Sequence, residues 1–150
     1  MLSRDKSKRV VEVVERELLT PYGLRSLAAS DPAYRPRYEG GVWERDTAYH
    51  QGTVWPWLMG PFITAYVRAN GGTKRARERA KELLGPLQEH LLDGCLGHIS
   101  EILDADRPHE PRGCIGQAWS VAEILRAAVE DVFGVRPTPQ RVDSLQTAAR

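Results

Sequence analysis

The sequence predicts an all-α protein in which two layers of helices, separated by long loops, form part of a barrel or toroid. Four segments show the helical spacing of apolar residues, and no segment shows the alternation of a competing strand. Two of these segments are apolar around most of their circumference, which indicates burial on both sides, and two carry a single apolar stripe. Inner and outer helices that alternate along the chain are typical of two concentric layers. Four helices cannot close such a ring, so we expect a fragment or a chain that needs a partner.

The two outer helices are predicted over residues 3–19 and 73–92. In the first, valines and leucines recur at helical spacing while charged residues fill the opposite face. Thr20-Pro21 ends this helix, because the residue before a proline is pushed out of the α region. The second is strongly charged, with one stripe of alanines and leucines, and Gly85-Pro86 is expected to bend or split it.

The two inner helices are predicted over residues 53–70 and 114–132. Thr53 can cap the first, and Pro56 suits its first turn. Pro61 does not suit a helix interior, so a kink is expected there. The second helix is apolar or small in its first half and alternates with charged residues in its second.

A long aperiodic segment, residues 20–51, separates the first two helices. Loops of this length are uncommon in compact domains and are usually functional. Its aromatic residues cannot all be core residues, so some are expected to line a cleft, although for any single one a role in pinning the loop to the helices is equally good. These aromatic residues are Tyr22, Tyr34, Tyr38, Trp43 and Tyr49.

Composition excludes several classes of function. The 150 residues make one domain or a piece of one, and the net charge of +1 sets up no field for nucleic acid or an anionic membrane. No apolar run is long enough to cross a bilayer, and the charged N-terminus has no signal-peptide pattern, so a cytoplasmic protein is expected. Cys95 and Cys114 are expected to be reduced thiols without a metal, and His98 and His109 lack helical partners for one. No metal and no cofactor are predicted.

The stretch from residue 97 to 123 has the residue types of one wall of a sugar-cleaving site. Glu101 lies in a polar loop, where a carboxylate can stay ionised and activate water. Gln117 and Trp119 open the following helix, where an amide can bind hydroxyls and an indole can stack on a pyranose face. The alternatives are a solvated loop acid for Glu101 and a core position for Trp119.

A second group of candidates lies at the end of the long loop. Tyr49, His50 and Gln51 carry a hydroxyl, an imidazole and an amide that could reach glucose hydroxyls, and Trp55 follows one turn later and could stack. Helix capping and core packing explain His50 and Gln51 about equally well.

Three segments together resemble a known family. They read LLTPYGLRSL (residues 18–27), YHQGTVWPWLMGPF (residues 49–62) and GHISEILDADRPHEPRGCIGQAWSVAEILRA (residues 97–127). They are similar to the C-terminal end of prokaryotic glycogen debranching enzymes, the amylo-α-1,6-glucosidase family. The resemblance implies a partial (α/α)6 toroid, an incomplete six-hairpin barrel, over residues 1–132. Residues 133–150 are then a tail that is expected to be partly disordered.

The resemblance also implies an activity, hydrolysis of the α-1,6-linked glucose stub at glycogen branch points with inversion at the anomeric carbon. Inversion needs two carboxyl groups about 6.5–9.5 Å apart. The general base of the family matches Glu101 by position, whereas its general acid lies upstream of this chain, and nothing marks Asp46 as that acid. The chain is expected to need the missing N-terminal part of the toroid or to self-associate. Such a fragment should expose inner-helix residues such as Trp55, Phe62 and Ile115. The alternative is a non-catalytic truncated paralogue that self-associates or only binds oligosaccharide.

Overall fold

The structure is a computed structural model that describes residues 2–93, 96–136 and 138. Helices and strands both occur in these ranges. The α-helices are α1 (Arg4–Glu17), α2 (Val42–Ala48), α3 (Met59–Ala69), α4 (Lys74–His90) and α5 (Ala118–Arg126). The strands are β1 (Leu19–Thr20), β2 (Gly23–Arg25), β3 (Val54–Trp55), β4 (Ile102–Leu103) and β5 (Pro111–Arg112).

The five strands form one antiparallel sheet in the order β1-β2-β3-β4-β5. Leu24 on β2 pairs with Leu19 on one side and with Trp55 on the other, and Val54 pairs with Leu103 across β3 and β4. The predicted all-α class is therefore wrong, and the partial (α/α)6 toroid that depended on it is not supported. Strands of two or three residues are too short to show a period of two, which is why the sequence pattern did not reveal them.

Both outer helices form where they are predicted. Ser3 caps α1 by accepting a hydrogen bond from the backbone N–H of Lys6 at 3.5 Å. Thr73 caps α4 by accepting one from the backbone N–H of Ala76 at 3.3 Å. Pro86 lies inside α4, which continues unbroken to its end, so of the predicted bend or split at Gly85-Pro86 the split does not occur.

The inner helices begin later than predicted. Residues 54–58 form β3 and a 3-10 turn, Pro56–Leu58, before α3 begins. Pro61 therefore falls in the first turn of α3, where its missing N–H leaves no intrahelical bond unmade, and the reason to expect an interior kink disappears. Similarly, α5 begins at Ala118, and a π-helical segment, Ala127–Val132, continues it.

The hydrophobic core lies between α3 and its neighbours α1, α4 and α5. Met59 and Ile63 on α3 are fully buried, in one cluster with Leu84 and Leu87 of α4. Burial of such side chains contributes about 1.5–3 kcal/mol each relative to exposure. This core packs α3 against its neighbouring helices, and α3 supports the candidate active site described below.

The expected bare inner surface is present at one position of the three named. Trp55 and Phe62 are each only 4% exposed, whereas Ile115 is 63% exposed. The prediction that all three lack neighbours is wrong for the first two.

Polar contacts fix α5 against α3. Arg126 binds Glu123 at 2.8 Å and Asp131 at 3.3 Å, and donates a hydrogen bond to Thr64 Oγ1 on α3 at 3.1 Å. Hydrogen bonding to Glu123, together with the charges of Glu123 and Asp131, raises the pKa of Arg126, so the guanidinium stays charged. These contacts hold the C-terminal end of α5 against the middle of α3.

Some predictions concern residues that the structure does not describe. Most of the predicted tail, residues 133–150, lies outside the described ranges, as does Cys95. Within those ranges, no helix combines the length and the apolar character needed to cross a membrane.

Candidate active site

Glu101 is held at the start of β4 by neutral hydrogen-bond donors. Its backbone N–H donates to the carbonyl of Cys114 at 2.9 Å, which continues the pairing of β4 with β5. The Tyr49 hydroxyl donates to Oε1, and the backbone N–H of Cys114 donates to Oε2 at 2.8 Å. A carboxylate offers about four acceptor positions, so two remain for a ligand or water. The side chain is half-buried, which fixes its orientation and leaves it within reach of solvent.

Gly113 allows this arrangement. Its φ is +67°, in the left-handed region that favours glycine, and a Cβ built on it would lie 2.6 Å from Glu101 Oε2. Any larger residue would push the carboxylate away from the N–H of Cys114. The sequence analysis missed this position, although a glycine directly before the residue that pairs with Glu101 was a signal available in the chain.

Tyr49 joins Glu101 to a group of aromatic rings. Its ring centroid lies 5.6 Å from that of Tyr38, 4.7 Å from that of His50 and 4.8 Å from that of Trp55. Burial, together with the hydrogen bond to Glu101 and its negative charge, raises the pKa of Tyr49. The phenol therefore stays protonated and keeps its role as a donor at neutral pH.

The rings form one continuous group, which we call the aromatic cluster: Tyr38, Tyr49, His50, Trp55, Trp57 and Trp119. His50 stacks on Trp55 at 5.1 Å with an interplanar angle of 10°, and Trp119 meets Trp57 at 5.7 Å. Trp55 is buried beneath these neighbours, while Trp119 is 48% exposed. The surface of the cluster is therefore presented by Trp119 and the exposed His50.

Gln117 and Gln51, the two glutamines predicted to bind sugar, differ in their position relative to Glu101. Gln117 caps α5, with its side-chain Oε1 accepting a hydrogen bond from the backbone N–H of Ala118 at 3.1 Å. The backbone N–H of Gln117 donates to the carbonyl of Ile99 at 2.9 Å. Gln51 is exposed and lines a shallow groove with Asp46 and His50, a groove that Glu101 does not line. The structure thus brings Glu101, Tyr49, His50, Trp55 and Trp119 together, places Gln117 close in the fold, and leaves Gln51 at the edge.

Asp104, which directly follows β4, is an acid that the sequence analysis did not single out. It is fully buried, and Oδ2 accepts from Arg112 Nε at 3.0 Å and from a terminal nitrogen of the same guanidinium at 2.9 Å. Oδ1 accepts from the backbone N–H of Tyr38 at 2.8 Å. The hydrogen bonds between Arg112 and Asp104, together with the negative charge of Asp104, raise the pKa of Arg112. Asp104 therefore anchors the Tyr38 segment, and with it one side of the aromatic cluster, to the sheet.

The residues in the described ranges include no group of three or more His, Cys, Asp or Glu side chains that could hold a metal ion. The chemistry that this region can perform is that of a hydrogen-bonded carboxylate beside aromatic rings. Such a site suits water activation and the stacking of sugar rings.

Comparison with known proteins places the chain. The sequence profile of the amylo-alpha-1,6-glucosidase family matches residues 1–126. The glycogen debranching enzyme of Saccharomyces cerevisiae (strain ATCC 204508 / S288c) is 36% identical in a match that covers 78% of this chain and 9% of that enzyme. The chain thus spans a small part of the length of this curated relative. It belongs to the amylo-alpha-1,6-glucosidase family, as its three sequence segments had indicated.

Proposed function

We propose that this chain supplies the general base and sugar-binding surface for hydrolysis of α-1,6-linked glucose stubs on glycogen-type oligosaccharides. The observation that carries the proposal is the carboxylate of Glu101, oriented by Tyr49 and the N–H of Cys114 at the edge of the aromatic cluster. Membership of the family supports the substrate class, because the matching relative is a glycogen debranching enzyme.

In this proposal Glu101 takes a proton from water as the water oxygen attacks the anomeric carbon, and the sugar inverts. The two donors fix the carboxylate in one rotamer, and its free acceptor positions receive the water. A second carboxyl group must protonate the leaving oxygen. Asp104 does not suit that task, because Arg112 and the Tyr38 N–H occupy both of its oxygens. We assign the general acid to a part of the enzyme outside this chain, as the family resemblance implies.

The sugar-binding roles follow the exposure of the rings. Trp119 offers an accessible indole face for a pyranose ring, and His50 offers an imidazole on the same surface. Trp55 supports both from beneath, and Tyr49 acts on Glu101 directly. Gln117 uses its amide oxygen to cap α5, which leaves its NH₂ group to donate to a hydroxyl. Gln51 is assigned to a more distant part of the oligosaccharide.

α-Glucosyl fluoride tests the base without the acid, because fluoride leaves with its electron pair and needs no protonation. Water then attacks the anomeric carbon as the C–F bond breaks, and the water proton goes to Glu101. We expect the chain to hydrolyse this compound with β-glucose as the first product. Glu101→Gln should lower the rate at least about 100-fold, the lower end of general-base contributions. Asp106→Asn, a change at an exposed acid of the same hairpin, should leave the rate unchanged.

The outcomes separate the roles. Equal rates for wild type and Glu101→Gln contradict the assignment of the base, and α-glucose as the first product contradicts inversion. No hydrolysis by the wild-type chain would favour the second candidate function, a chain that binds oligosaccharide without cleaving it. That candidate is supported by the same exposed ring of Trp119 and requires no second carboxyl group.

A further inference from the structure

A cavity with its own set of polar groups lies between the β1–β2 turn, the end of α4 and the β4–β5 hairpin. Its volume is about 460 Å³, within the usual range of small-molecule sites. It is lined by Tyr22 from the β1–β2 turn, His90 and Asp93 at the end of α4, Leu103 of β4, and residues 108–111. Neither Glu101 nor Trp119 lines it, so it is distinct from the candidate active site.

His90 presents one ring nitrogen to this cavity. The side chain is 3% exposed, and its Nε2 lies 3.4 Å from the backbone nitrogen of Ser100 and 3.2 Å from the Ser100 hydroxyl. A backbone N–H can only donate, so Nε2 is the acceptor and the proton of the neutral imidazole is on Nδ1. Burial lowers the pKa of His90, which agrees with the neutral form.

The Nδ1–H of His90 has no hydrogen-bond partner among the described residues. Among those residues, no fully buried side-chain nitrogen or oxygen lacks a partner. His90 lines the cavity, so we take this nitrogen as the donor that its ring offers to a ligand there. It is a fixed donor on a side chain that is otherwise buried, which is the kind of group that orients a ligand.

His109 supplies the complementary group. Its Nδ1 lies 3.0 Å from the carbonyl oxygen of Asp104, which can only accept, so the proton is on Nδ1 and Nε2 is left as an acceptor. Its φ is +65°, a conformation that costs free energy in a non-glycine residue and is found mainly where the surroundings enforce it. Tyr22 lies between the two imidazoles, with its ring 5.8 Å from that of His90 and 5.7 Å from that of His109.

We propose that this cavity binds a glucosyl unit of the oligosaccharide chain, away from the point of cleavage. The choice of ligand rests on the function proposed above. The described lining of the cavity contains no lysine or arginine, which disfavours an anion. Among the described residues, no three His, Cys, Asp or Glu side chains are placed to hold a metal ion together. A fixed donor, a ring acceptor, the carboxylates of Asp93 and Glu110, and an aromatic ring beside apolar Leu103 suit a neutral ligand with several hydroxyls.

Imidazole NMR spectra of the chain test this directly, because His50 reports on the candidate active site while His90 and His109 report on the cavity. With maltotriose as the probe, we expect saturable shifts of the His90 and His109 signals. Glu110→Gln should weaken this binding about tenfold, since a hydrogen bond to a charged acceptor is lost. Glu89→Gln, a change at an exposed acid of α4 outside the cavity lining, is the matched control and should have no effect.

Trp119→Ala makes the two proposals separable. It should reduce the His50 response and leave the His90 and His109 responses intact. If maltotriose moves neither cavity histidine, the cavity is not a sugar site, and the role of Glu101 is unaffected. If Glu101→Gln hydrolyses glucosyl fluoride like wild type, the proposed function fails while a saturable response at the cavity would still stand as sugar binding.

Discussion

Glu101 and Asp104 are acids on either side of the same two-residue strand, and the fold uses them in opposite ways. Asp104 is fully buried, and Arg112 and a backbone N–H occupy both of its oxygens. Glu101 is half-buried and is held by a phenol and a backbone N–H, both neutral, with acceptor positions left over. Asp104 therefore contributes to the stability of the hairpin, whereas the free acceptor positions of Glu101 suit the base role that we propose for it.

The difference follows from what a carboxylate needs in each role. A buried charge requires an opposite charge and full hydrogen bonding, or its desolvation would outweigh any gain. A general base needs the reverse, a defined rotamer with an accessible lone pair. Because β4 places the two acids at opposite ends, one hairpin can provide both environments.

The largest expected effect is on stability, at Asp104. Asp104→Ala should lower the free energy of unfolding by about 3–5 kcal/mol, because it leaves the guanidinium of Arg112 and the Tyr38 N–H without their partner. Glu101→Gln should change it by less than about 1 kcal/mol, since the amide oxygen can still accept a hydrogen bond. Urea unfolding measures both. Equal losses at the two positions would remove the distinction between a structural and a functional acid.

The next largest effect is expected at Gly113, on both stability and hydrolysis, and Gly97 serves as its control. Gly113 and Gly97 have similar φ values, +67° and +77°, but only at Gly113 would a Cβ meet the Glu101 carboxylate. Alanine at either position should cost about 1–2 kcal/mol for its left-handed backbone. Gly113→Ala should in addition displace the carboxylate and reduce hydrolysis of glucosyl fluoride about tenfold or more.

A spectrophotometric titration reports on the same displacement without an activity assay. With the carboxylate moved, Tyr49 should ionise at lower pH in Gly113→Ala than in wild type, and Gly97→Ala should leave its titration unchanged. Identical behaviour of the two glycine variants would mean that Gly113 serves only the backbone.

Tyr49 links pH to stability with a definite sign. Its pKa in the folded protein is raised above the ordinary value of about 10, so its contribution is fully present below pH 10 and is lost as the pH rises further. Tyr49→Phe should cost about 1 kcal/mol at neutral pH and should flatten the loss of stability above pH 10. Unfolding midpoints at several pH values between neutrality and 11 measure this, with Tyr66→Phe as the control. An unchanged slope in Tyr49→Phe would show that the phenol is not coupled to Glu101.

Helices and the aromatic character of the site could be predicted from the sequence, but the sheet could not. The stripes of α1 and α4 extend over several turns, so their period stands out, and Ser3 and Thr73 mark their beginnings. The strands contain two or three residues each, and their pairings join distant segments, as Leu24 joins Trp55. No local pattern encodes such a pairing.

The residues that meet in the candidate site were named from the sequence, whereas the contacts between them were not. Glu101, Tyr49, His50, Trp55 and Trp119 were all named from the sequence. The hydrogen bond from Tyr49 to Glu101 spans 52 positions, and it depends on a sheet that the sequence did not reveal. The burial of Asp104 could not be predicted, because its partner, Arg112, becomes its neighbour only when β4 pairs with β5. Local sequence thus identifies candidates, and tertiary pairing decides which acid is buried.

The smallest expected effect concerns Trp119, the partly exposed indole of the aromatic cluster. Its ring is 48% exposed, whereas that of Trp43 is 77% exposed and lies outside the aromatic cluster. Trp119→Ala should weaken maltotriose binding about fivefold, measured through the His50 imidazole signal, because roughly 1 kcal/mol of stacking is lost. Trp43→Ala should not affect it. Because Trp119 contacts Trp55 and Trp57, its loss also exposes their edges, so the stability of the variant should be measured alongside. A weaker binding signal with an unchanged unfolding midpoint would place the effect at the surface that faces the sugar, while equal effects of Trp119→Ala and Trp43→Ala would contradict that role.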